Sequence, residues 1–403
     1  MCARKTTHDV ANPHTNGFEK LNRQPKFNAR QRPVLFERLE NRAMLSAAPG
    51  FKVTNLVSDG SVAASFTDAN LKNPWGISFN PSANVVWVAD NGSSVSTVYN
   101  PNGSVADTGF YTSITIPAPA GSSAVSKPTG QIFNSTTAFT VSQNGVSDPA
   151  DYVWATENGT IAAWNPNVNP ISAITDVDRS SGGADFTGLA QDSVHGTQYL
   201  YAADIHNGTV DMFDASFNTV KFKNAFTDPS IPKGYVPWNV QNVNGEIAVS
   251  YVKANSTGTF ATTGKGTGIV DLFSAKGVLE EQLARGGNLN APWAVTVAPK
   301  TWGSLAGDVL VGNFGDGRIL AYATSTKTNT GVFAGFLDHA TNDAPIQLPG
   351  LWGLTFGDSS DDDSTLFFAD GPTTTTGILG SITIAKVTTT TVTTPAAPTT
   401  PIY

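Results

Sequence analysis

Cysteine is almost absent from this chain of 403 residues, where the single one is Cys2. The remainder can form neither an internal disulfide nor a thiolate metal site, so its stability must come from packing and strand pairing. Long apolar runs are also missing, because none approaches the roughly 18 residues that a membrane-spanning helix needs. Histidine is scarce, with 5 residues, and no G-x-S-x-G or H-E-x-x-H motif occurs. We therefore expect no membrane span, and the sequence gives little support for nucleophilic catalysis.

Positive charge is scarce beyond the first 50 residues. Residues 1–50 carry nine Lys and Arg against four Asp and Glu, which leaves fifteen against twenty-eight in the remainder. An acidic body repels phosphate backbones, and no basic stripe with interleaved aromatic residues appears. We expect no nucleic-acid partner.

The composition favours an all-β fold. Charged residues make up only 14% of the chain and hydrophobic residues 40%, while Gly, Pro, Asn, Ser and Thr are abundant. Such a sequence can bury a real core and supplies many turns between short strands.

A short strand start recurs six times, and we call it the start motif. Its first residues are 54, 58, 51, 55 and 59 residues apart. A period in the fifties with three visible strands and a variable fourth is typical of the four-stranded blades of a β-propeller. A pair of open β-sandwiches would also have many short strands, but it gives no reason for one motif to recur six times. The six starts are Pro74-Trp75-Gly76-Ile77, Pro128-Thr129-Gly130-Gln131, Phe186-Thr187-Gly188-Leu189, Pro237-Trp238-Asn239-Val240, Pro292-Trp293-Ala294-Val295 and Leu351-Trp352-Gly353-Leu354.

The rest of each repeat supports six blades over residues 51–385. A second strand follows each start, and a third strand carries an aromatic residue near its end in five repeats. The sixth repeat lacks that residue and one strand, whereas residues 52–57 form a spare strand at the front. Pairing this N-terminal strand into the last blade would close the ring and remove an exposed edge. The five aromatic residues are Tyr99, Trp164, Phe213, Phe273 and Tyr322.

Four phrases of the sequence resemble a known family. They are Asn73-Pro74-Trp75-Gly76-Ile77, Trp87-Val88-Ala89-Asp90-Asn91-Gly92, Gly234-Tyr235-Val236-Pro237-Trp238-Asn239-Val240-Gln241 and Leu310-Val311-Gly312-Asn313-Phe314-Gly315-Asp316-Gly317. The chain resembles, over residues 52–382, an uncharacterised bacterial propeller family that is associated with the PEP-CTERM sorting system. That family is similar to NHL and TolB-like six-bladed propellers. The resemblance implies a six-bladed fold and no established activity. The chain departs from the family at Thr373–Thr376 and in having no PEP-CTERM tail.

The two ends differ in composition from the repeats. Residues 1–50 form a basic arm, and residues 36–47 (Phe-Glu-Arg-Leu-Glu-Asn-Arg-Ala-Met-Leu-Ser-Ala) resemble the LEPR-x-L-L leader of exported proteins in planctomycete-type bacteria. This resemblance implies a secreted or cell-surface protein, and a basic flexible arm is the alternative. Residues 386–403 are rich in Thr and Pro and cannot bury enough apolar surface to fold alone, so we expect a disordered tail.

Candidate site residues gather at one end of the channel. In a propeller the first strand of each blade lines the channel, and the turn after the second strand opens on the same face. The tryptophans of the start motif can bind a ligand by stacking, and carboxylate and amide oxygens are the ligands that Ca²⁺ prefers. Turn chemistry for the acidic residues and inter-blade packing for the tryptophans are the structural alternatives. The ligand-binding candidates are Trp75, Trp238, Trp293, Trp352 and Asn239, and the metal candidates are Asp90, Glu157, Asp204, Asn313 and Asp370.

Two weaker candidates are turns. Asp361-Asp362-Asp363 lacks the alternation of a calcium loop, and Gly264-Lys265-Gly266-Thr267-Gly268 has no helix after it to bind phosphate. We expect a solvated turn and a hairpin turn, respectively.

The favoured function is a non-enzymatic binding or interaction module. The channel mouth would take a small molecule, a glycan or a protein loop, and we expect a monomer. The alternative is a Ca²⁺-dependent hydrolase or lactonase of the six-bladed type, in which a channel Ca²⁺ polarises an ester or lactone oxygen. A purely structural surface protein is the third hypothesis. Calcium is the one cofactor that the pattern suggests.

Overall fold

The computed structural model describes residues 50–106, 112–324, 330–357 and 364–385. The basic arm up to residue 49, the Asp361–Asp363 turn and the Thr-rich tail lie outside the described residues. The described chain is all-β and builds six blades of four antiparallel strands, and the last blade has in addition one short strand paired parallel at its outer edge. The predicted six-bladed propeller is confirmed.

The first half of the chain supplies the closing strands and three blades. Its first elements are β1 (Phe51–Ser58) and the short β2 (Phe66–Thr67). Blade 1 has β3 (Pro74–Asn80), β4 (Val85–Asp90), β5 (Val95–Tyr99) and β6 (Ser113–Thr115). Blade 2 has β7 (Pro128–Phe133), a projecting hairpin of β8 (Thr140–Gln143) and β9 (Val146–Pro149), then β10 (Tyr152–Thr156), β11 (Thr160–Trp164) and β12 (Ile174–Asp178). A 3₁₀ turn (Ser180–Gly182) precedes blade 3, which has β13 (Phe186–Val194), β14 (Thr197–Asp204), β15 (Thr209–Asp214) and β16 (Thr219–Val220).

The second half supplies three further blades. Blade 4 has β17 (Tyr235–Val243), β18 (Glu246–Lys253), β19 (Ile269–Ser274) and β20 (Leu279–Arg285). Blade 5 has β21 (Pro292–Val297), a 3₁₀ turn (Gly303–Leu305), β22 (Val309–Asn313), β23 (Ile319–Ala323) and β24 (Val332–Phe336). Blade 6 has β25 (Leu351–Phe356), β26 (Leu366–Thr373) and β27 (Thr376–Ile384).

The N-terminal strand closes the ring. β1 pairs antiparallel with β27, from Phe51 opposite Ile384 to Ser58 opposite Ile378. It therefore supplies the fourth strand that the last repeat lacks, which confirms the predicted closure. Without β1, the buried strand β27 would present unpaired backbone groups to solvent.

The start motifs line the channel and pack tightly against one another. A Cβ added at Gly76 would collide with the backbone of Thr129, and one added at Gly130 would collide with the backbone of Leu189. The same conflict arises at Gly188, against Asn239. The third position of the motif is glycine in these three blades because neighbouring first strands approach each other within backbone contact.

Aromatic packing joins blades 1 and 2 through their second and third strands. Trp87 of β4 lies 4.5 Å from Tyr152 and 5.6 Å from Trp164 of blade 2, measured between ring centroids. Second strands such as β4 are buried along their whole length, because they are covered on both faces by neighbouring blades. This two-sided burial explains why the second strands read as continuous apolar runs. Within the described residues, no helix has the length and apolar character needed to cross a membrane.

Candidate functional site

The start of each first strand lies beside the end of the second strand. Pro74 is paired with Asp90, Pro292 with Asn313 and Leu351 with Asp370. The antiparallel register thus puts the start motifs and the acidic turns at one end of the channel, which we call the upper end.

Four tryptophans of the start motif lie together at the upper end. Trp75 stacks on Trp352 with ring centroids 3.5 Å apart, and Trp238 lies 5.5 Å from Trp352. Trp293 completes the group at 5.9 Å from Trp352. All four side chains are buried, with 0 to 3% exposed. The group therefore forms a plug within the channel, and its proposed contact with a ligand is limited to the edges that face outward.

Two phenylalanines cover the plug, and the sequence analysis did not select them as site residues. Phe260 lies on the long connection between β18 and β19, residues 254–268, and reaches Trp75 across the ring at 6.4 Å. Phe314 follows β22 and lies 4.3 Å from Trp352 and 5.5 Å from Phe260. Both rings are only partly buried. The length of that connection, compared with the short turns of the other blades, was the available signal for Phe260.

The connection is a hydrogen-bonded loop. Asn255 accepts at Oδ1 from the backbone N–H of Thr259 and Phe260, and its own N–H donates to Phe260 O at 2.7 Å. Gly264 N–H donates to Asn290 Oδ1 at 2.6 Å. The predicted hairpin turn at residues 264–268 is thus part of a larger ordered loop that holds Phe260 over the channel.

A cavity of about 900 Å³ opens above this aromatic group, and we call it the upper basin. Trp75, Trp352, Phe260 and Phe314 form its floor. Amide and charged side chains form its walls, namely Asn73, Asn91, Asn158, Lys127, Glu157 and Asp185.

The start motif differs in blades 2 and 3. Thr129 and Thr187 occupy the position that tryptophan has in the other four blades. Each threonine hydroxyl donates to a backbone carbonyl of the next blade, Thr129 to Phe186 O at 2.6 Å and Thr187 to Trp238 O at 2.7 Å. Lys127 and Asp185 immediately precede these two first strands, and both line the upper basin.

Four of the five metal candidates occupy one equivalent position and act within their own blades. Asp90 accepts from Thr97 Oγ1 at 2.8 Å. Asp204 accepts from Asn207 Nδ2 at 2.8 Å, and Asn313 accepts from the N–H of Asn290 at 3.0 Å. Burial raises the pKa of Asp370 to about 7. All four side chains are nearly or fully buried, and the hydrogen bonds of Asp90, Asp204 and Asn313 brace the turns that follow their second strands.

Glu157 differs from the other candidates. Thr156 is the residue paired with Pro128, so Glu157 lies one position further on and faces the upper basin. There it forms an ion pair with Lys127 at 3.1 Å. Among the residues that the structure describes, no three His, Cys, Asp or Glu side chains converge on a common metal position. The described residues thus do not assemble the carboxylates of the suggested calcium site, and the calcium hypothesis is left to experiment.

Asp185 is a partly buried acid of the basin wall, and the sequence analysis missed it. One of its carboxyl oxygens, Oδ1, is buried without a hydrogen-bond partner. Burial, together with the charges of Glu157 and Asp204, raises the pKa of Asp185 to about 8, although Lys127 opposes the shift. A carboxyl group in this state is protonated at neutral pH.

Asn239 lies deeper than the basin. Its Nδ2 donates to Trp293 O at 2.7 Å and so ties blade 4 to blade 5. A cavity of only about 20 Å³, the size of about one water molecule, lies beside it in the channel. Below that, Gln241 of blade 4 donates to Leu354 O of blade 6 at 3.3 Å and accepts from Val295 N at 3.1 Å. The channel is therefore closed, and a ligand in the upper basin cannot pass through it.

Several known proteins are similar to this chain, although no family model matches it. Uncharacterized protein R648 of Acanthamoeba polyphaga mimivirus is 30% identical over 342 residues, which cover 83% of this chain and 81% of that protein. Uncharacterized protein L690 of the same virus is 29% identical over 343 residues, which cover 83% and 86%. Among solved structures, a protein of unknown function from Bacteroides thetaiotaomicron superposes with a TM-score of 0.49 at 11% identity, covering 83% of this chain and 76% of that one.

Proposed function

The chain belongs to the same family as the uncharacterized protein R648 of Acanthamoeba polyphaga mimivirus, and from the geometry above we propose that it is a binding module whose ligand enters the upper basin. The resemblance to the PEP-CTERM-associated propeller family remains a prediction.

The observation that carries this proposal is the composition of the upper basin. An aromatic floor, amide side chains and a small charged group surround about 900 Å³, which lies at the upper end of the range for small-molecule sites. Sites of this kind bind through apolar contact and obtain specificity from a few polar groups. A groove of about 410 Å³ on the outer side of blades 3 and 4 is smaller and lies away from the channel axis.

The basin is also rigid, which favours binding. Its floor is held by ring contacts from blades 1, 4, 5 and 6, and Phe260 is held by the hydrogen bonds of Asn255. A preformed site spends little free energy on ordering when the ligand binds.

Intrinsic fluorescence tests the proposal, because Trp75 and Trp352 form part of the floor. Full-length protein is titrated with representative monosaccharides, disaccharides, nucleosides, amino acids and organic acids, and hits are confirmed by calorimetry. Phe314→Ala should weaken binding of a hit at least about tenfold. Phe333→Ala, at an exposed aromatic residue on the outer edge of blade 5, is the matched control. A hit whose affinity is unchanged by Phe314→Ala would show that the ligand binds elsewhere.

We further propose that the protein acts outside the cell or at its surface. The support is the leader-like sequence of residues 36–47. Fractionation of a culture that expresses the full chain, compared with a chain lacking residues 1–49, tests it. Retention of both forms in the cytoplasm would contradict export.

A further inference from the structure

The upper basin has a chemistry that selects among small molecules. We propose that its ligand is a neutral polyhydroxylated molecule of the saccharide class, an inference that rests on the upper basin being the binding site.

The floor suits the apolar face of a sugar ring. Phe260 and Phe314 are the partly exposed rings, and their planes meet at 80° with centroids 5.5 Å apart. Phe314 is inclined by 38° to Trp352, so the two rings form a shallow platform. A pyranose presents C–H groups on one face and hydroxyl groups at its rim, and such a ring can lie on an aromatic platform while its rim meets polar walls.

The wall nearest blade 1 offers an amide donor. Asn73 Nδ2 donates to Asn91 Oδ1 at 3.0 Å, which fixes the orientation of the Asn91 amide. Asn91 is only 7% exposed, and its Nδ2 has no hydrogen-bond partner, although the side chain lines the basin. A buried amide N–H without a partner is costly, and a ligand hydroxyl oxygen can satisfy it.

The opposite wall is electrically balanced. Lys127 and Glu157 neutralise each other at 3.1 Å, and Asn158 Oδ1 accepts from the backbone N–H of Lys127 at 2.9 Å. Asp185 faces Glu157, Asp204 and Lys127, and because burial raises its pKa to about 8 it carries no charge at pH 6.5. The wall then has no unpaired charge to attract a cation or an anion, whereas a protonated carboxyl and an amide both exchange hydrogen bonds with hydroxyl groups.

Competing probes at pH 6.5 test the ligand class. The full-length protein is applied to a glycan array, and its affinities for the retained saccharides, choline and inorganic phosphate are measured by calorimetry. We expect saccharide binding without measurable binding of choline or phosphate. Asn91→Ala and Phe314→Ala should each weaken it at least about tenfold, and Phe333→Ala should leave it unchanged.

The possible failures are distinguishable. Binding of choline or phosphate that depends on Phe314, without saccharide binding, would overturn the ligand class and leave the upper basin as the site. Saccharide binding that survives both Asn91→Ala and Phe314→Ala would overturn the site itself. Absence of binding by every probe would overturn both proposals. Circular dichroism of each variant establishes that it is folded before its affinity is interpreted.

Discussion

The indole rings of Trp75 and Trp352 stack with centroids 3.5 Å apart and planes inclined by 15°. Trp75 starts blade 1 and Trp352 starts blade 6, so this contact joins the first and last blades of the ring at the channel. Closure therefore has two components, the β1–β27 strand pairing at the outer side and an aromatic contact at the inner side. The same stack forms part of the floor of the upper basin, so the site depends on the ring being closed.

Removal of the closing strand should destabilise the whole propeller. Deletion of residues 1–58 eliminates β1, exposes the edge of β27 and uncovers Trp302, against which Phe51 packs at 4.8 Å. We expect aggregation or a strongly lowered midpoint in urea denaturation. Deletion of residues 1–49 is the control and should leave the midpoint unchanged. Equal stability of the two truncated proteins would contradict the role of β1.

Truncation of Trp238 should mainly lower the stability of the protein, because its side chain lies in the core and not on an exposed surface. The side chain is fully buried and contacts Phe260, Phe314 and Trp352. Trp238→Ala is expected to lower the free energy of unfolding by about 3–5 kcal/mol. Chemical denaturation of Trp238→Ala beside Phe333→Ala measures the difference. A loss below about 1 kcal/mol would show that the plug is not part of the core.

A methyl group at the channel should be poorly tolerated. In Gly130→Ala the new Cβ would collide with the backbone of Leu189 and Gly188, neither of which can move without shifting a blade. Overpacking of this kind costs about 1–3 kcal/mol, or more where the backbone is involved. Gly182→Ala is the matched control, because nothing lies within 4 Å of its Cβ position. Thermal melting of the two variants should differ by several degrees, and coincident melting curves would contradict the tight packing.

Stability should fall as pH rises from about 4 to about 8. Burial raises the pKa of Asp271 and Asp370 to about 7 and that of Asp185 to about 8. Over this interval the folded chain keeps protons that the unfolded chain has already released, so ionisation opposes folding. Each group contributes a slope of up to about 1.4 kcal/mol per pH unit.

Urea denaturation across this pH range measures that slope. Asp370→Asn should make it smaller, because one titrating carboxyl is removed. The lowered pKa of Asp59 and of Asp228 acts in the opposite direction, but only at lower pH. Stability that rises between pH 5 and pH 8 would contradict the assignment.

Calcium should have no effect on melting. Asp90, Asp204 and Asn313 are engaged within their own blades, and Glu157 is paired with Lys127. We expect the melting temperature in about 5 mM calcium to equal the melting temperature in the presence of a chelator. A ligand that binds only the folded state raises its stability, so a clear rise with calcium would restore the metal-site hypothesis.

Fold and site were predictable from the sequence to different degrees. The six start motifs and the spare strand at residues 52–57 were enough for the blade number and the closure, because each blade repeats the same burial pattern. The sequence also pointed to Trp75 and Trp352. It treated the six motifs as equivalent, however, and so did not foresee that Thr129 and Thr187 donate hydrogen bonds to the backbone of the next blade.

Periodicity within the chain is a local property, and it determined the number of blades and the role of β1. Whether each polar side chain is buried within its blade or faces the basin was decided only by the tertiary structure. Asp90 and Glu157 look alike beside their turns, yet a shift of one residue in register buries the first within its blade and turns the second to the basin, since successive side chains of a strand face opposite sides. Asp185 and Phe260 belong to the site because folding brings the connections of different blades to one opening.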